Sequence, residues 1–207
     1  MAPGNRILAI SPHPDDCETG CGGLLAEGGE WRGALYLCER RYRKEIQQVA
    51  KILGLDWARS YEFAADHLPS LSMPVLAGVI EAAVAEHKPD LLLLPEWTDC
   101  HQDHRVTYEA GMIAARPFSS TVRTVLTYEV PGPTDWGLDG HFQPNLYVRL
   151  QSASINKKIE AFERYSAEVR TSPHPRSSAG IEVRARFRGM QCGAPYAEAF
   201  RVVRQIF

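Results

Sequence analysis

The 207-residue chain sets 23 Lys and Arg against 25 Asp and Glu, for a formal charge of -2, and 44% of it is hydrophobic. That is apolar material for one substantial core, so a single domain over residues 1–207 is expected, and the balanced charge offers no general attraction for nucleic acid or an acidic membrane. Five cysteines without paired metal-binding spacings, no leader-like N-terminus and no apolar run of spanning length lead to the expectation of a cytoplasmic chain with reduced thiols and no membrane span.

In chain order, the first signal is an apolar strand, Ile7–Ile10, followed by His13-Pro14-Asp15-Asp16, Glu18 and the glycine-rich Gly20-Cys21-Gly22-Gly23, which reads as a tight bend packed beneath the preceding loop. Ala34–Cys38 is a second strand. The basic run Arg40 to Lys44 reads as a solvated face, with Arg40 to Arg43 near enough to a strand end to meet an anionic substrate group. Lys44–Leu53 is an amphipathic helix, with Ile46, Val49, Ala50 and Leu53 on one side. A short strand is expected at Tyr61–Phe63, and a helix opened by Pro74 runs to His87, with Pro89 stopping it.

Leu91–Leu94 is the next apolar strand, and His101-Gln102-Asp103-His104 follows it as a second polar loop. Val122–Val130 reads as a strand, and residues 131–144 as a long turn-rich loop in which Trp136 or His141 could wall a binding site. Ile155–Tyr165 reads as a helix, Thr171–Pro175 as a loop, and Arg184-x-Arg186-x-Arg188 as a solvated face. Strand, helix and strand in repetition mean an α/β fold with a mostly parallel sheet and right-handed crossovers. Both polar loops then meet at the carboxyl edge of the sheet, where such folds hold ligands.

The residues in those loops suit a metal. His13 and Asp16 can each give one ligand atom to a borderline cation such as zinc, and His104 completes a set of three with a position left open, the catalytic rather than the structural pattern. Asp15 is left beside the metal to take a proton from water, whose pKa zinc lowers to roughly 7. His101 can donate to the oxygen or leaving group of a tetrahedral intermediate, with Asp103 orienting it. His-Pro-Asp on its own could be only a turn; the second loop is what argues for more. Cys17, Cys100 and the remaining histidines read as ordinary packing or surface residues.

With these motifs in place, the chain resembles the PIG-L/LmbE-like family of N-acetylglucosaminyl deacetylases. The likeness rests on His13-Pro14-Asp15-Asp16 with Glu18 and the glycine run, paired with His101-x-Asp103-His104. Supporting segments are Arg43-x-Glu45, Phe63-x-x-Asp66, Phe142-x-Pro144-Asn145, Arg188-Gly189 and Tyr196-Ala197-Glu198-Ala199-Phe200, so it spans nearly the whole chain. The resemblance implies a Rossmann-like fold with helices on both faces of the sheet. It implies Zn2+, with Fe2+ as the cellular alternative, held by His13, Asp16 and His104. Asp15 would be the general base, and His101 the electrophilic or acid partner tuned by Asp103. Arg43 and Asp66 match positions near the sugar.

The implied partner is a small amino-sugar conjugate, with self-association into a homo-oligomer as an option. Two features depart from the family pattern: Cys17 separates the aspartate pair from Glu18, and His67 follows Asp66 where glycine is usual, which puts the shape of the sugar pocket in question. The competing readings are a metal-dependent hydrolase of another amide, an ester or a phosphoester, and a non-catalytic Rossmann-like module that uses the glycine run to bind a nucleotide.

Overall fold

In the computed structural model, which describes residues 5–38, 41–137 and 142–207, seven strands form one sheet. Arg40 and His141, both considered above, lie outside the described residues. The strands are β1 (Arg6–Ser11), β2 (Trp31–Tyr36), β3 (Trp57–Ser60), β4 (Leu91–Pro95), β5 (Thr124–Tyr128), β6 (Leu146–Arg149) and β7 (Ala197–Gln205). Their order is β3-β2-β1-β4-β5-β7-β6. The first five run parallel, while β7 lies antiparallel to both β5 and β6. The expected mostly parallel α/β sheet is therefore present.

Successive side chains of a strand point to opposite faces, and a sheet covered on both faces needs apolar residues at every position. In β1, Ile7 and Ala9 enter one core while Leu8 and Ile10 enter the other; in β4, Leu91 and Leu93 separate from Leu92 and Leu94 in the same way. Helices α1 (Asp16–Glu27), α2 (Arg43–Leu53) and α5 (Ser152–Glu163) cover the first face, and α3 (Met73–His87) and α4 (Gln102–Ala114) the second. Helix α6 (Ser178–Cys192) packs on α5 and β7.

The glycine run is not a bend. Gly20 to Gly23 lie inside α1, and a Cβ at Gly20 would collide with the Tyr128 ring and the Glu129 carbonyl. The run buries a close helix-to-sheet approach, so the packing half of the expectation stands and the turn does not. Likewise, Asp103 and His104 belong to the first turn of α4 rather than to a loop.

The third strand is Trp57–Ser60, earlier than the expected Tyr61–Phe63; it pairs with β2, and the stacked rings of Tyr61 and Phe63 follow its end. The Arg184 and Arg188 reading is also corrected. Both guanidiniums bond the buried Glu129 carboxylate, at 2.8 Å from Arg184 and at 2.8 and 2.7 Å from Arg188. Arg186 alone of the three faces solvent, pairing with Glu182 one turn away.

Candidate metal centre

Strand order reverses between β1 and β4, which are neighbours although β2 follows β1 in the chain. Such a switch point opens a crevice at the carboxyl edge. The segment after β1 brings His13, Asp15 and Asp16 there, and the segment after β4 brings Asp99, His101, Asp103 and His104. Ser11, at the end of β1, ties the first segment down: its hydroxyl donates to the His13 carbonyl (2.6 Å) and accepts from the Cys17 amide (3.1 Å).

Asp16 Oδ2 is the focus. It accepts from the His13 backbone amide at 2.9 Å, and stands 3.0 Å from His13 Nδ1 and 3.3 Å from His104 Nε2. The other nitrogen of each ring faces a carboxylate. His13 Nε2 is 2.8 Å from Asp103 Oδ2, and His104 Nδ1 is 3.0 Å from Asp99 Oδ2. Carboxylates behind imidazoles fix the tautomer and raise the basicity of the inward nitrogen, the usual surroundings of metal-ligating histidines.

The crowding also shows in the charges. Burial would lower the pKa of His13, but hydrogen bonds and charge from Asp103 and Asp16 push it up to about 10. Burial is likewise outweighed at His104, where Asp16 and Asp99 raise it to about 9. Burial alone would raise Asp16, yet the two histidines hold it well below the usual carboxylate range. Three such groups facing one another call for positive charge, and the donor set of two nitrogens and a carboxylate oxygen fits a cation such as zinc.

Two other groupings are geometrically close, His13 with Cys38 and Asp103, and Asp66 with His101 and Asp103. Both need Asp103, whose oxygens already receive His13, the Asp66 amide (2.8 Å) and the Leu68 amide (3.1 Å). Burial also pushes the Cys38 thiol up, which disfavours the thiolate a metal would need. The His13, Asp16 and His104 set is the better one.

Asp15 caps α1 with φ of +94°, in the left-handed region that strains an aspartate. Its amide donates to Glu18 Oε2 (3.1 Å), and Glu18, fully buried, also receives the Tyr36 hydroxyl at 2.5 Å and the Tyr165 hydroxyl at 3.1 Å. The Asp15 carboxylate is not drawn into the three-group focus; it is ion-paired with Arg176. Burial, then the nearby Asp16 charge, raise its pKa well above the usual range, with Arg176 opposing them.

His101 is the N-cap of α4. Its Nδ1 accepts from the Asp103 amide (3.2 Å), so the ring proton sits on Nε2, which points at Asp66 Oδ1 3.2 Å away. Burial, helped by His104 and His13, lowers its pKa, which favours the uncharged ring. Here the sequence reading is corrected. The Asp103 carboxylate faces His13, and only its backbone amide serves His101, because the first turn of α4 directs that side chain back towards β1.

These groups open on a cleft of about 480 Å³ lined also by Arg41, Tyr42, Phe63 and Pro133. Asp66 is on its rim. Arg43 is not: it pairs with Glu62 at 2.9 Å on the exposed start of α2, leaving Arg41 and Arg176 as the lining cations. Trp136 is exposed and away from the cleft, to which the same loop contributes Pro133 instead. Two residues went unseen in the sequence. Asp99 had a usable signal, being a carboxylate two residues before His101; Arg176 had none, since it meets Asp15 across 161 residues of chain.

The sequence model of the PIG-L family, GlcNAc-PI de-N-acetylase, matches residues 27–115. The chain is 28% identical to an uncharacterized deacetylase, YaiS, of Escherichia coli strain K12, over 78% of this chain and 90% of that one. The chain is thus similar to the PIG-L family and to named deacetylases. A diacetylchitobiose deacetylase of Thermococcus kodakarensis is 25% identical over 98% of this chain and 84% of its own.

Among solved structures, the conserved protein TT1542 of Thermus thermophilus superposes with a TM-score of 0.80 at 23% identity, covering 98% of this chain and 96% of that one. GalB, the 4-carboxy-2-hydroxymuconate hydratase of Pseudomonas putida KT2440, has a TM-score of 0.74 at 18% identity over 98% of both chains. A shared fold therefore does not fix the chemistry, and the site must decide it.

Proposed function

We propose that the chain is a metal-dependent N-deacetylase that removes the acetyl group of an N-acetylated amino sugar or its conjugate. The observation that carries this reading is the convergence of His13, Asp16 and His104, with the separate carboxylate of Asp15 buried in the same cleft and the His101 ring 4.8 and 4.7 Å from those of His13 and His104. The named deacetylases among the relatives support the acetamide as the bond cleaved.

His13 through Nδ1, Asp16 and His104 through Nε2 would hold the metal, zinc by the character of the donors. When bound, it would acidify a water molecule and polarise the acetamide carbonyl. Asp15 takes the proton of the attacking water. His101 Nε2–H donates to the oxygen that gains charge as the carbonyl becomes tetrahedral, a hydrogen bond worth more in a cleft shielded from water than in solution. Because His101 Nδ1 is already occupied by a backbone donor, the ring has no second proton to give. The proton for the departing amine therefore returns from Asp15.

The binding-module alternative loses its basis, since the glycine run that would cradle a phosphate is buried inside α1 against Tyr128. The test is a pair of variants. Asp15→Asn should keep wild-type zinc content and lose turnover by about 10²-fold or more, whereas His104→Ala should lose zinc itself. Near-normal turnover by fully loaded Asp15→Asn would overturn the base assignment.

A further inference from the structure

Asp15 is held at both ends by one closed circuit of contacts. Its carboxylate Oδ2 pairs with Arg176 Nη2, and the same nitrogen reaches Glu168 Oε2 at 3.1 Å. Glu168 Oε1 accepts from the Tyr42 hydroxyl at 2.8 Å. The Tyr42 ring meets Tyr165 edge-on, with centroids 5.4 Å apart, and the Tyr165 hydroxyl donates to Glu18, which accepts the Asp15 amide. Oδ1 of Asp15 forms no hydrogen bond among the described residues.

The circuit joins three distant parts of the chain: the segment after β1, the start of α2, and the stretch between α5 and α6. A left-handed aspartate persists only where its surroundings over-determine it. Glu18 fixes the backbone of Asp15; the fork of Arg176, itself pinned by a second carboxylate, fixes the side chain.

We propose that Arg176, clamped by Glu168 and Tyr42, is a positioning residue that holds the Asp15 carboxylate by Oδ2 and leaves Oδ1 free to meet the attacking water. This rests on the deacetylase reading above. Arg176 acts through Asp15 and not on substrate, so its loss should appear in kcat and leave KM in place. A lysine cannot reproduce the fork between two carboxylates and should serve only in part.

The experiment uses zinc-loaded wild type, Arg176→Ala, Arg176→Lys and Glu168→Gln, with zinc content and Tm recorded for each, on an N-acetylglucosamine conjugate that wild type deacetylates. Arg176→Ala should lose about 10²-fold in kcat, the scale of a misplaced catalytic group, with KM unchanged and zinc retained. Arg176→Lys should fall in between. Added guanidinium ion should restore part of the Arg176→Ala rate and none of the Asp15→Asn rate.

Glu168→Gln, which leaves Arg176 in place but unpinned, should lower kcat in the same direction, and it decides the matter if Arg176→Ala does not fold. Wild-type kcat in these variants, or a raised KM at unchanged kcat, would overturn the proposal; the second result would make Arg176 a substrate contact. Failure of the deacetylase reading itself is separate: it would show as a wild type inactive on every acetylated conjugate.

Discussion

Replacing Asp99 by alanine would test the centre without touching a ligand. Asp99 is fully buried, and its two oxygens do three things: Oδ2 faces His104 Nδ1 at 3.0 Å and accepts the Thr134 hydroxyl at 2.7 Å, while Oδ1 accepts the His101 amide at 2.7 Å. Its removal strands a buried imidazole N–H and frees His104 to turn or change tautomer. Loss of a carboxylate behind a ligating histidine costs about 10- to 100-fold in metal affinity, or roughly 1.4 to 2.8 kcal/mol at 1.4 kcal/mol per tenfold.

Folding stability should fall too, by about 1–3 kcal/mol for the buried donors left unsatisfied. Competition for zinc against a chromophoric chelator measures the first quantity, and urea unfolding of the metal-free protein the second. Asp99→Asn, whose one carbonyl oxygen can keep the His101 amide while an NH2 replaces the oxygen that faced His104 and Thr134, should lose less stability than Asp99→Ala and still bind zinc more weakly. Wild-type zinc affinity in Asp99→Ala would refute the assignment of His104 Nε2 as a ligand.

Other consequences can be checked directly. Burial opposes ionisation of Glu129, but Arg188 and Arg184 hold its pKa below the usual value of 4.5. A depressed carboxylate stabilises the fold above its unfolded pKa and loses that contribution as pH falls through the folded one. Urea unfolding should therefore show Glu129→Gln less stable than wild type at pH 7, by about 3 kcal/mol for a buried pair broken on one side, with the two converging below pH 4.5; a constant gap would argue against the charge as its source. Gly20→Ala should lower Tm despite alanine's better helix propensity, because overpacking costs about 1–3 kcal/mol against about 1 kcal/mol gained. An unchanged Tm would mean that α1 stands further from Tyr128 than described.

What the sequence could say followed from how locally each feature is encoded. The β1 and β4 strands are legible because both of their faces are buried, so Ile7–Ile10 and Leu91–Leu94 are unbroken apolar runs that end at polar residues. Helix α6 is not, since its pattern is inverted: Val183, Phe187 and Met190 are 65%, 47% and 73% exposed, while Arg188 is only 8% exposed against Glu129. The third strand sits at the sheet edge and is half-buried at most, so no alternation marks it.

The motif residues were found by kind and spacing, but not their partners. That the Asp103 carboxylate serves His13 rather than His101 depends on the turn of α4. That Arg176 meets Asp15 depends on how the segment after α5 folds back over the cleft.

The most direct measurement is amine release from a panel of N-acetylglucosamine conjugates, made with metal-stripped protein and again after one equivalent of zinc. Release from at least one conjugate that appears only with zinc, and that His104→Ala does not show, is the predicted result. Zinc bound tightly with no amine released from any conjugate would contradict the account, leaving a metal centre whose substrate lies outside the amino sugars.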